Sequence, residues 1–134
     1  RKQSVFDILF HAYGEPCTVD RPFTPCGENA WEIGGDKGRM RLTCLTPAMR
    51  GAYEVQDIRR TGTHENYKMC LLRFKNPEPA RALTSLVVME TFAAGGKATA
   101  TATWDNRTLI IQQGPKIRTL TRSGRGFRCT RGAM

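Results

Sequence analysis

Acid is what this chain is shortest of, and the shortage is local. Of 134 residues, 21 are Lys or Arg and 12 are Asp or Glu, a net charge of +9. Residues 1–96 hold thirteen bases and eleven acids, whereas residues 97–134 hold eight bases and a single acid, Asp105. A field concentrated in the last quarter of a chain favours a polyanionic partner over a uniform solubilising role.

Other absences exclude whole classes. No run of 18 apolar residues occurs, so no helical membrane span is expected. No GxSxG or HExxH motif occurs, and serine is too scarce to frame a hydrolase triad. Gly34, Gly35 and Gly38 cluster, but they carry neither the P-loop's Gly-Lys-Ser/Thr nor a GxGxxG spacing, so a hairpin turn is expected there. No Cys or His pair has zinc-site spacing, and no metal or cofactor is expected. The chain starts at Arg1 with no apolar signal-type segment, which suggests a processed form or an excised domain.

Five cysteines are present: Cys17, Cys26, Cys44, Cys70 and Cys129. Cys17 and Cys26 bracket a proline-punctuated loop that a bridge would staple. Cys44 and Cys70 fall in predicted strands, as either a cross-strand bridge or two buried thiols, and Cys129 is left for an intermolecular bond or a free thiol. A sequon at Asn106-Arg107-Thr108 sits on a predicted turn. Cysteine usage and sequon together point towards an exported or extracellular protein.

The length suits a single domain over residues 1–134. Residues 4–13 predict a helix: Ser4 caps it, Phe6, Leu9, Phe10 and Tyr13 recur at helical spacing, and Gly14 and Pro16 end it. Residues 14–29 read as loop, and from residue 30 to residue 122 antiparallel strands are expected. Ala30–Ile33 pairs with Arg39–Leu45, in which Met40, Leu42 and Cys44 face one way. Ala52–Ile58 pairs with Tyr67–Phe74. For residues 80–92 the expectation is a helical turn and then a strand, Thr84–Phe92, hairpinned onto Lys97–Trp104, with a continuous helix over 79–93 as the competitor. Lys97–Trp104 and Arg107–Gln113 flank an Asp105-Asn106 turn. The expected class is mainly β: a curved meander or small barrel of seven or eight strands carrying one N-terminal helix.

The candidate site is the basic segment 114–134. As a strand, residues 116–122 place Lys116, Arg118 and Arg122 on one side with Leu120, and Arg125, Phe127, Arg128 and Arg131 follow. Five Arg to one Lys favours phosphate or sulfate oxygens, because the guanidinium offers a fixed donor fork, and Phe127 offers a ring for base stacking. The leading expectation is a polyanion-binding domain with nucleic acid, RNA included, as first choice. Three others stand beside it. One is an assembly subunit that self-associates through the basic tail, Cys129 and the apolar stretch 4–13. Another is a metal-free ribonuclease using His11 and His64, the only histidines, as an acid–base pair. The last is a carrier whose interior, lined by Trp31, Trp104, Met and Phe, holds an apolar ligand.

Overall fold

The computed structural model describes residues 3–13, 23–35, 37–46, 49–59, 66–76, 78–124 and 126–133. Eleven strands are found there, all paired antiparallel, and no helix occurs among the described residues. The chain divides into two compact units, Arg1–Gly96 and Lys97–Met134.

The first unit contains two open sheets. One has three strands in the order β1 (Asp7–Tyr13), β6 (Asn66–Lys75), β5 (Arg50–Arg59). The other has four, in the order β2 (Phe23–Gly27), β3 (Ala30–Gly34), β4 (Gly38–Cys44), β7 (Val87–Ala93). The sheets share one core. Cys70, Leu72 and Phe74 of β6 meet Phe23, Leu42, Cys44 and Met49, with Phe10, Trp31, Met40 and Tyr53 packed around them. Aromatic contacts cross the interface, Phe23 lying 5.9 Å from Tyr53 between ring centroids, while Phe10 meets Phe74 edge-on at 6.1 Å. This is sheet-on-sheet packing, in which alternate residues of each strand fill the space between the layers.

The expected helix over residues 4–13 is a strand. Asp7–Tyr13 pairs with β6 along its whole length, from Asp7↔Lys75 to Tyr13↔Met69. The same apolar residues satisfy two periods: Ile8 and Phe10, two apart, enter the core, while Leu9 stays 45 % exposed. A short apolar run does not separate helix from strand by its own pattern. Here the backbone edge of β6 decides it, because its donors and acceptors need a partner that a helix cannot give. The preceding residues are held similarly. Ser4 and Ala80 exchange two backbone hydrogen bonds of 2.9 Å, and the Phe6 amide donates to Asn76 Oδ1 at 2.6 Å.

Three further expectations change. Residues 23–27, read as loop, form β2, with a register shift at Pro25/Gly27 that takes up the proline. Residues 80–86 contain no helical turn, and the following strand, β7, pairs with β4 rather than with residues 97–104. Among the described residues no sheet closes into a barrel. The β3–β4 and β5–β6 hairpins form as expected. Charges on β4 are answered across the sheet: Arg41 meets Glu90 at 3.0 Å and Arg39 meets Glu32 at 2.9 Å.

Cys26, Cys44 and Cys129 are free thiols. That removes both the Cys17–Cys26 staple and a Cys44–Cys70 bridge; Cys17 itself lies outside the described residues. Partial desolvation pushes the Cys26 thiol up, and the nearby Glu32 carboxylate adds to the shift. No helix among the described residues is long and apolar enough to cross a membrane.

Candidate polyanion-binding surface

The second unit is a four-stranded meander, β8 (Ala100–Trp104), β9 (Thr108–Gln113), β10 (Lys116–Ser123) and β11 (Gly126–Ala133), each strand beside its sequence neighbour. Every reversal holds a residue with positive φ: Asn106 at 73°, Gly114 at 56° and Gly124 at 59°. Tight antiparallel connections demand that conformation, which glycine and asparagine accept most readily. The first turn is fastened by Asp105, whose Oδ1 accepts the amides of Arg107 at 2.9 Å and Thr108 at 2.6 Å. Those hydrogen bonds, Thr108's foremost, hold its carboxyl below the usual carboxylate range.

Strand register sorts the side chains. Cross-strand partners share a face, so each rung of the ladder can be read directly. Ala102, Ile111, Arg118 and Arg131 form one rung, and Trp104, Leu109, Leu120 and Cys129 another. Lys116 stands two residues before Arg118, beside Gln113, while Arg122 lies opposite Phe127. One face therefore carries a cationic end, Lys116, Arg118 and Arg131, and an apolar end, Trp104, Leu109, Leu120 and Phe127. The other face is mostly threonine, with Thr130 Oγ1 donating to the Thr119 carbonyl at 3.3 Å.

The first face is concave. Trp104 and Phe127 belong to the two edge strands, which lie ~14 Å apart in a flat four-stranded sheet. Their ring centroids are nevertheless 6.1 Å apart. Sheet curl and two long side chains span the difference, and Leu109 beneath them is only 6 % exposed. At the cationic end a hollow of about 270 Å³ is lined by Lys116, Ile117, Arg118 and Arg131. Another of about 180 Å³ is lined by Ile111, Gln113, Lys116 and Arg118.

Electrostatically this end is unbalanced. Arg118 and Arg131 are direct cross-strand partners, a placement in which like charges repel. The unit's single acid, Asp105, is committed to the first turn. Among the described residues the ion pairs found all lie in the first unit, through Arg39, Arg41 and Arg73.

Of the residues singled out in the sequence, Lys116, Arg118, Arg122, Phe127 and Arg131 share one face. Arg128, partnered with Thr121, lies on the opposite face, and Arg125 lies outside the described residues. His11 is an exposed residue of β1, with Leu71 as its cross-strand partner. His64 lies outside the described residues. Gln113 and Trp104 were not foreseen on this face. The alternation of Lys97–Trp104 carries the signal for Trp104, since two-residue periodicity plus a hairpin register aligns it with Leu120. No cluster of His, Cys, Asp and Glu side chains able to hold a metal ion occurs among the described residues. Comparison of the chain with known protein families, with characterised proteins and with solved structures gives no match.

Proposed function

We propose that this protein binds a polyanion, nucleic acid foremost, on the concave face of its C-terminal sheet. The observation that carries the reading is the direct cross-strand pairing of Arg118 and Arg131, with Lys116 two residues away and Asp105 the single acidic side chain among residues 97–134. Like charges held side by side cost stability that a bound anion offsets. Two guanidinium forks and an ammonium around a solvent-open hollow suit phosphate oxygens, which accept several donors at once. Phe127, 49 % exposed and opposite Arg122, supplies an aromatic surface on the same face.

The test is retention of the full chain on heparin and on immobilised oligonucleotide, beside the double variant Arg118→Gln/Arg131→Gln. Substitution is preferable to deletion from Gly114, which would remove two of the four strands of the sheet. Wild type is expected to elute at clearly higher salt than the variant, whose thermal melting should be no lower because the cross-strand repulsion is gone. Coincident elution would show that the charge is only solvated surface.

A further inference from the structure

We infer that the concave face selects single-stranded nucleic acid over duplex and over polyanions without bases, an inference that rests on the polyanion-binding reading above. The argument is one of width and order. The trough is bridged at one end by the Trp104–Phe127 contact between its two edge strands, 6.1 Å between rings. A duplex, whose major groove alone is about 12 Å wide, is too broad to settle into a trough that closes in this way, and among the described residues no helix stands ready to enter a groove. An extended single strand is narrow enough.

The order of groups along the trough matches such a strand. On β10, Lys116 and Arg118 are two residues apart, ~7 Å along an extended backbone, a spacing comparable to that between successive phosphates of an extended strand. Arg131 stands beside Arg118 on the neighbouring strand, so a phosphate there meets two guanidinium forks at once. On β11, Phe127 lies four residues from Arg131, ~13 Å further along the same face. One side of its ring is braced by Trp104, and with 49 % of the residue exposed the rest is open to a base. Phosphates at one end and a base on Phe127 at the other are therefore about two nucleotides apart. Arg122, opposite Phe127, is placed to meet the phosphate of the stacked nucleotide. Stacking tolerates any base, so little sequence preference is expected.

The experiment titrates the full chain against a fluorescent single-stranded RNA of about twelve nucleotides, within the span one such platform covers. The same sequence as duplex and a heparin oligosaccharide are measured at the same salt. Single strand is expected to bind at least about tenfold tighter than duplex, and Phe127→Ala to weaken it about tenfold, within the range for one stacked base. Heparin binding should not change and duplex binding should not fall, since removing the ring only opens the trough, and Phe127→Tyr should restore single-strand affinity, which a merely structural loss would not do. Equal affinity for all three probes, all weakened by Arg118→Gln/Arg131→Gln and none selectively by Phe127→Ala, would overturn the single-strand inference while leaving polyanion binding standing. If the double arginine variant leaves every affinity unchanged, both fall.

Discussion

Gly51 of β5 leaves the space that the Trp31 indole of the facing sheet occupies. A Cβ at residue 51 would stand 2.5 Å from Trp31 Nε1 and 3.0 Å from Phe74. Both rings belong to the packing around the inter-sheet core, so neither has room to retreat. Gly51→Ala should therefore destabilise the first unit by about 1–3 kcal/mol through overpacking. Chemical denaturation checks it. Wild-type stability in the alanine variant would mean that the sheets do not meet at this point.

A second expectation concerns the polar groups buried at the N-terminal edge. Asn76 is 1 % exposed; its side chain accepts the Phe6 amide at 2.6 Å and donates to the Glu78 carbonyl, while its own amide donates to the Phe6 carbonyl. Asn76→Ala removes both side-chain bonds and leaves the Phe6 amide and the Glu78 carbonyl without that partner, for about 1–3 kcal/mol. Hydrogen exchange should show the Phe6 and Ser4 amides losing protection first. Uniform loss across the unit would contradict this pinning role.

The first turn of the C-terminal sheet is expected to respond to acid. Asp105's ordinary carboxyl value is 3.8, and in the folded turn it is lower. A depressed carboxyl stabilises the fold at pH above its unfolded value and loses that contribution as pH falls through the folded one. Protection of the Arg107 and Thr108 amides should thus be full above the ordinary carboxyl value of 3.8 and be lost only as pH falls below it, through the lower value of the folded turn. Asp105→Asn should flatten the profile, and an unchanged acid profile in that variant would refute the assignment.

How much of this was legible in the sequence depended on whether neighbours in sequence are also neighbours in space. The β3–β4, β5–β6 and β8–β9 pairs join strands that follow one another in sequence across short polar or glycine-bearing stretches, and each could be read from alternation alone. The pairings of β1 with β6 and of β4 with β7 join distant segments, and no local pattern announces them. Residues 4–13 were misread for that reason: their spacing also suits a helix, and only a partner some sixty residues away makes the strand preferable. The shared face of Lys116, Arg118 and Arg122 follows from strand periodicity. That Arg131 joins it while Arg128 does not depends on the register set by the turn at Gly124.

Thiol chemistry offers a check on burial. Cys26 and Cys129 are exposed and Cys44 is buried, 4 % accessible. Alkylation of the native protein should label the first two and spare Cys44 until denaturant is added. Because the thiolate is the nucleophile and the Cys26 value is raised, Cys26 should react more slowly near pH 8 than a free cysteine model compound. Rapid native labelling of Cys44 would contradict the two-sheet core.

The measurement that bears most directly on the central claim is the salt dependence of single-strand binding. Lys116, Arg118, Arg122 and Arg131 on one face predict a slope of log affinity against log salt of about −3, and removal of one of them should reduce its magnitude by ~0.7. Arg118→Gln should show that reduction, whereas Arg128→Gln, on the opposite face, should leave the slope nearly unchanged. Equal losses for the two variants, or a slope near zero in the wild type, would contradict a polyanion site on the concave face of the sheet.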